Sequence, residues 1–189
     1  MIKLIPVSNS HDLSEDLKQI YIGSFPPDER RDWKKMEELL IQPNFILNQI
    51  FEDQLLIGLI SVWNFQNFVF IEHFAIRKSK RGKGIGTQVL KQVIAEYPKT
   101  LIVEVEEPIT GEARHRIAFY ESAGFSVCEG IYYQPPYSPN KNKVKMLLMS
   151  FPERILQFEF DEIKKQIYRE VYQQNDPAFF SNGINNLYS

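Results

Sequence analysis

A short glycine-rich segment is the part of the chain best suited to chemistry. Residues 81–86 read Arg-Gly-Lys-Gly-Ile-Gly, and they follow the mainly apolar run 68–76. Glycines let a turn adopt positive φ and approach a ligand closely, because they have no Cβ. A helix is predicted to begin within this segment, and its first turn offers free N–H groups and a positive dipole end. With Arg77, Lys78 and Lys80 just before it, the segment is suited to bind a polyphosphate.

The glycine spacing distinguishes this segment from two common phosphate-binding loops. The P-loop pattern G-x-x-x-x-G-K-[ST] does not occur in the sequence, and the glycines are too close together for the dinucleotide pattern G-x-G-x-x-G. The pattern [RQ]-x-x-G-x-[GA] does occur, filled by Arg81, Gly84 and Gly86. A basic turn without a ligand is the alternative that this pattern alone leaves open.

A second segment of interest, residues 112–126, follows the predicted strand 100–106. Ala113, Ile117 and Tyr120 fall on one face of a predicted helix, and Gly124 and Phe125 are placed to end that helix and begin a strand. In this order, the two segments resemble the acyl-CoA loop and the later tyrosine motif of the GNAT N-acetyltransferase superfamily. The resemblance covers roughly residues 2–150 and is specific only near 70–90 and 112–126.

The resemblance implies that acetyl-CoA is the acyl-donor cosubstrate, and no metal cofactor is expected. It places the donor's diphosphate on main-chain N–H groups of residues 82–87, and an oxyanion donor on the strand before the loop. The implied cofactor-binding residues are Phe74, Ala75, Ile76, Arg81, Gly82, Lys83, Gly84, Ile85, Gly86 and Thr87. Many relatives carry an asparagine where this chain has Ala113, so Arg114 or Arg116 could supply that contact instead.

Transfer of an acyl group to an amine calls for an acid and a base. Tyr120 is the candidate general acid, because a phenol of pKa ~10 stays protonated at neutral pH. A tyrosine that only fills the core is the alternative. Glu72 is the first candidate for the base, since it lies inside an apolar run and several relatives have an acidic residue there. Glu104 is the second, and it shares one face of the predicted strand 100–106 with Glu106.

The pattern of elements predicts an α/β fold with the order βααβββαβαββ. The resemblance implies a twisted mixed sheet of about seven strands, flanked by helices, in which strands four and five splay apart. Strands are expected near residues 2–7, 44–52, 55–64, 67–76, 100–106, 125–133 and 143–151. Asn9 or Ser10 is expected to cap the first helix. Residues 1–151 form the predicted N-acetyltransferase domain. Residues 152–189 form an extension, expected to pack on the same domain or on a partner through the apolar stripe Phe160, Ile163, Ile167 and Val171.

The amino-acid composition argues against several classes of protein. The 189 residues are 43% hydrophobic and carry a net charge of -2, which argues against a dedicated nucleic-acid binder. The single cysteine, Cys128, excludes an internal disulfide, and the three histidines do not have metal-ligand spacing. Without a signal-peptide pattern or a long apolar run, a cytoplasmic location is expected. The chain is expected to be a monomer or a homodimer.

Two functions from different classes fit these observations. The first is an acetyl-CoA-dependent N-acetyltransferase that acts on a small-molecule or peptide amine by direct transfer. The second is a non-catalytic acyl-CoA-binding module that senses the donor or regulates a partner. An RNA-binding domain is a third, remote alternative.

Overall fold

A mixed eight-stranded sheet organises residues 1–174, the part of the chain that the computed structural model describes. Its strands are β1 Ile2–Pro6, β2 Phe45–Glu52, β3 Leu55–Asn64, β4 Phe68–Ile76, β5 Thr100–Glu106, β6 Ser126–Val127, β7 Tyr132–Gln134 and β8 Val144–Phe151. The order across the sheet is β1-β2-β3-β4-β5-β8-β6, with β7 also paired to β8. Only β4 and β5 are parallel neighbours in this sheet. The predicted mixed α/β fold is confirmed.

Helices cover both faces of the sheet. Within residues 1–174 they are α1 Glu15–Ser24, α2 Trp33–Leu39, α3 Ile85–Glu96, α4 Gly111–Ser122 and α5 Gln157–Gln166, and a π-helical turn, Ile167–Val171, continues α5. Helices α1, α2 and α5 bury Leu17, Met36 and Phe160 in one core cluster. Helices α3 and α4 bury Val89 and Ile117 in a second cluster.

Two local expectations were wrong in detail. Helix α1 is capped by Ser14, whose Oγ accepts from the Leu17 N–H at 3.2 Å, while Asn9 caps a separate 3₁₀ turn. The predicted strand 125–133 is broken into β6 and β7. Gly130 lies between them with φ 145°, and a Cβ there would stand 2.4 Å from the Phe160 ring. The close approach of α5 therefore requires a glycine and interrupts the strand.

Near the end of β4, a β-bulge and the separation of β4 from β5 open the sheet close to the glycine-rich loop. Ser61 of β3 pairs with His73 and Val62 pairs with Ile71, so Glu72 is the extra residue of a β-bulge. The ladder between β4 and β5 ends at the pair Ile71 and Val103. Beyond that pair the two parallel strands separate, as the resemblance implies.

Candidate active site

A cleft of about 670 Å³ lies over the start of α3, the end of β4 and one side of α4. Nine of the ten predicted cofactor-binding residues line it, namely Phe74, Ala75, Ile76, Arg81, Gly82, Gly84, Ile85, Gly86 and Thr87. Lys83 is exposed and stands outside the lining. The structure therefore brings the strand end and the glycine-rich loop together around one cavity.

The loop itself has the backbone geometry that its glycines predicted. Gly82 and Gly84 adopt φ 75° and 73°, and Gly84 is the N-cap residue of α3. A Cβ on either residue would meet no other atom within 4 Å, so the glycines are needed for their conformation and not for internal packing. Arg81 fixes the start of the loop, because its Nε donates to the Ile76 carbonyl at 2.8 Å.

Six consecutive main-chain N–H groups of this loop are free to bind a ligand. The first helical hydrogen bond of α3 runs from the Gln88 N–H to the Gly84 carbonyl, at 3.1 Å. Within residues 1–174, no hydrogen bond is donated by the main-chain nitrogens of residues 82–87. Free N–H groups at a helix N-terminus bind phosphate well, because the helix dipole adds to their hydrogen bonds. The loop can therefore hold a polyphosphate, as the sequence predicts.

Tyr120 stands where this cleft meets a smaller pocket. Its side chain is buried against Phe119 and Phe125, with ring centroids 5.1 Å and 5.3 Å away. Within the described part of the chain its hydroxyl has no hydrogen-bond partner. Burial raises the pKa of Tyr120 above its ordinary value, so the phenol is protonated at neutral pH. A protonated, unpaired hydroxyl in this position can donate to a bound molecule.

The smaller pocket carries several carboxyl groups. It is lined by Glu29, Glu72, Glu104 and Glu106 together with Tyr120 and Arg116, and Phe25 and Phe74 line both cavities. Arg116 forms an ion pair with Glu106. In contrast, Arg114 donates to the carbonyls of Pro108 and Ile109, both at 3.0 Å. Of the two arginines that the sequence offered for the missing asparagine contact, only Arg116 lines the cleft.

Glu104 is a carboxyl group held by two tyrosines. Its Oε2 accepts from the Tyr132 hydroxyl at 2.7 Å, and its Oε1 accepts from the Tyr172 hydroxyl at 2.5 Å. Burial raises the pKa of Glu104 to about 8, although the two tyrosine hydrogen bonds act in the opposite direction. Glu29 behaves similarly, and burial together with nearby Glu106 raises its pKa to about 7. Both groups can therefore exchange a proton near neutral pH.

Glu72 has a different environment. Its side chain has no solvent exposure, and its carboxylate accepts from Arg31 Nε at 2.8 Å, Trp63 Nε1 at 2.8 Å and the Tyr137 hydroxyl at 3.0 Å. Burial by itself raises the pKa of Glu72, but the Arg31 guanidinium and the hydrogen bonds outweigh it, and the net pKa is lowered. Although Glu72 lines the smaller pocket, these contacts favour its ionised form and occupy both carboxylate oxygens.

The residues around the two glutamates were not singled out from the sequence. Arg31, Tyr132 and Tyr172 lie far from both glutamates along the chain, so no short-range pattern connects them with either carboxyl group. The signal that could have indicated Tyr172 is its place directly after Val171, the last residue of the apolar stripe. Periodicity predicts which face of a helix is buried, but it does not show which polar group that face meets.

Other candidate residues are accounted for by packing. His73 contacts Tyr21 and Ser61 in the core, and burial lowers its pKa to about 4. Cys128 is buried, with its Sγ 3.4 Å from the Ser150 Oγ. Among residues 1–174, no group of His, Cys, Asp or Glu side chains is arranged to hold a metal ion. No helix in the same range is long and apolar enough to cross a membrane.

Comparison with known proteins adds independent support. The acetyltransferase (GNAT) family matches residues 10–125 of the chain. A candidate GNAT acetyltransferase from Bacteroides thetaiotaomicron has a similar structure, with a TM-score of 0.84 and 31% identity over 92% of this chain and 99% of that one. A GNAT acetyltransferase from Elizabethkingia anophelis, solved with acetyl-CoA bound, has a TM-score of 0.57 and 17% identity over 79% and 96%.

A relative outside the solved structures is consistent with these matches. A candidate acetyltransferase of Bacillus subtilis (strain 168), YjbC, is 24% identical over 160 residues, which are 82% of this chain and 81% of that protein. The match over residues 10–125 and the similarity to the Bacteroides structure cover the cleft and its loop. The chain therefore belongs to the GNAT family of acetyltransferases.

Proposed function

We propose that the protein transfers an acetyl group from acetyl-CoA directly to a primary amine of a small molecule or peptide. The observation that carries this proposal is the junction of two cavities. The cleft with six free N–H groups ends at Tyr120, and the pocket lined by Glu29 and Glu104 begins there. The acyl donor fits the first cavity and a cationic amine fits the second.

The donor side rests on the loop. A diphosphate needs several donors within reach and no Cβ atoms in the way, and the segment from Gly82 to Thr87 meets both needs. A structural relative solved with acetyl-CoA bound supports acetyl-CoA as the donor. Acetyl-CoA supplies an activated thioester carbonyl. We assign the main-chain N–H groups near Phe74 to Ile76, where β4 has lost its β5 neighbour, to the carbonyl oxygen.

The acid–base assignment follows the contacts. In the reaction a bond forms between the amine nitrogen and the acetyl carbon, and the carbon–sulfur bond breaks. We assign Tyr120 as the acid that protonates the departing sulfur, because its hydroxyl is protonated, has no hydrogen-bond partner within residues 1–174, and belongs to a side chain that lines both cavities. We assign Glu104 as the base that takes the amine proton, because a base works best with a pKa near the operating pH.

This assignment reverses the order of the two bases that the sequence suggested. Glu72 is held by three donors and has a lowered pKa, so we propose that it anchors the pocket wall and does not take the proton. Glu29 faces the same pocket as Glu104 and adds negative charge there. An amine that arrives as its ammonium form is attracted by either group when that group is ionised.

A panel of amines tests the proposal. The purified protein is incubated with acetyl-CoA and monoamines, diamines or peptides with a free N-terminus, and thiol release and the acetylated product are measured. Turnover with an amine, lost in Tyr120→Phe, is the expected result. Binding of CoA without turnover across the panel, unchanged by Tyr120→Phe, would instead indicate the non-catalytic acyl-CoA-binding module.

A further inference from the structure

A continuous line of buried polar side chains connects the carboxyl group of Glu72 with that of Glu104. The Tyr137 hydroxyl lies 3.0 Å from Glu72 Oε1 and 3.3 Å from the Tyr172 hydroxyl, which in turn lies 2.5 Å from Glu104 Oε1. Arg31 closes one end at Glu72, and Tyr132 closes the other at Glu104. The two tyrosines thus bridge the gap where β4 and β5 have separated.

The hydroxyl protons along this line of side chains have two possible arrangements. Each tyrosine hydroxyl has one proton to donate. When Glu104 is ionised, Tyr172 donates to Glu104, Tyr137 donates to Glu72, and no proton lies between the two hydroxyls. When Glu104 carries a proton on Oε1, it can donate to Tyr172, which frees the Tyr172 proton to point at Tyr137. Both ionisation states of Glu104 are therefore hydrogen-bonded without movement of a heavy atom.

We propose that Tyr172 is a positioning residue for Glu104, and that its hydroxyl reverses its hydrogen bond each time Glu104 gains or loses a proton. The carboxyl group can then take a proton from the amine inside a buried pocket without leaving an unpaired polar group. The kinetic part of this inference rests on the proposed function, while the titration of Glu104 does not.

Tyr172 also brings the end of the described chain into contact with Glu104, a lining residue of the smaller pocket. The segment is fixed there by Arg31, whose Nη2 donates to the Val171 carbonyl at 2.6 Å, and by the buried side chains of Phe160 and Ile167. This segment lies outside the part of the chain that the GNAT family matches, residues 10–125. The structure assigns the C-terminal segment to the catalytic centre of its own chain.

Several titratable groups surround Glu104 and bear on its pKa. They are Glu29 from the loop before α2, Glu72 of β4, Tyr132 of β7, Tyr137 of the loop before β8, and Tyr168 and Tyr172 of the C-terminal segment. Of these, only Tyr132 and Tyr172 donate to the Glu104 carboxylate. Tyr168 donates instead to the Tyr133 carbonyl at 2.6 Å. Tyr168→Phe is therefore a matched control for Tyr172→Phe, on the same segment.

The first test measures Glu104 directly and needs no acceptor. Glutamate carboxyl carbons are labelled with carbon-13 and titrated by NMR, and the Glu104 signal is assigned by its loss in Glu104→Gln. Removing one hydrogen bond to the ionised carboxylate should raise the titration midpoint by about one pH unit in Tyr172→Phe. Tyr168→Phe should leave the midpoint unchanged. A midpoint that does not move in Tyr172→Phe, or moves equally in both variants, overturns the inference.

The second test uses turnover with whichever amine the panel identifies. Tyr172→Phe should lower kcat up to about tenfold at neutral pH, where fewer Glu104 groups are ionised, and kcat should recover at alkaline pH. A loss of equal size at every pH would show a merely structural role and overturn the kinetic part. If no amine turns over while the midpoint still shifts, the proposed function fails and the hydrogen-bond network stands.

Discussion

Replacing Glu72 by glutamine separates an anchoring role from a catalytic one. The Glu72 carboxylate accepts three hydrogen bonds, and its side chain has no solvent exposure. A glutamine has one NH₂ group in place of an oxygen, so in either orientation a donor faces a donor. Arg31, whose side chain is only 10% exposed, would then keep its charge without a charged partner.

The expected loss of stability is large. Breaking one partner of a buried ion pair costs about 3–5 kcal/mol. For a chain of this size each kcal/mol lowers Tm by about 2–4 °C, so Glu72→Gln should lower Tm by about 6–20 °C. Scanning calorimetry or thermal unfolding followed by circular dichroism measures the change.

Two further variants make the measurement interpretable. Glu38→Gln removes an exposed pair with Lys35, at 2.7 Å, and should change the free energy of unfolding by less than about 0.5 kcal/mol. The double variant Arg31→Met/Glu72→Met removes both buried charges, and it should be more stable than Glu72→Gln alone. A Glu72→Gln protein with unchanged Tm and strongly reduced kcat would refute this reasoning and restore Glu72 as the base.

Three more variants address the donor loop and the acid–base pair. Tyr120→Phe should lower kcat by about 10²-fold or more with unchanged CoA affinity and Tm. Tyr97→Phe removes the hydroxyl of another buried tyrosine, one that lines neither cavity, and as the control it should keep kcat. Gly84→Glu should abolish CoA binding in calorimetry, because it places a charged side chain in the cleft. Gly84→Ala should only weaken CoA binding, through backbone strain at positive φ. If both variants bind CoA with unchanged affinity, the loop does not bind the donor. Glu104→Gln should lower kcat by about 10²–10⁴-fold and remove the rise of rate toward pH 8. Because the pKa of Glu104 is raised on folding, the wild type should lose stability as pH rises from about 4 to about 8. The same loss of stability in Glu104→Gln would contradict the raised pKa of Glu104.

The sequence predicted most of the cleft that we assign to the acyl donor. The glycine-rich loop is a local feature, because positive φ at Gly82 and Gly84 and the start of α3 depend on neighbouring residues. The position of Tyr120 on α4 is also a local feature. Thr110 begins the helix by accepting from the Ala113 N–H at 3.1 Å, and helical spacing places Tyr120 on the buried face. Short-range patterns therefore predicted both motifs and the α/β order of elements.

Only the tertiary structure decided which carboxyl group has the properties of a base. Glu72 is held by Arg31, 41 residues away, and by Tyr137, 65 residues away. Glu104 meets Tyr132 across 28 residues and Tyr172 across 68. A pKa depends on burial and on the charges and donors nearby in space, and no local pattern contains those partners. In the sequence the two glutamates look alike, since each is an acidic residue in a strand, and folding gives one of them an arginine and the other a pair of tyrosines.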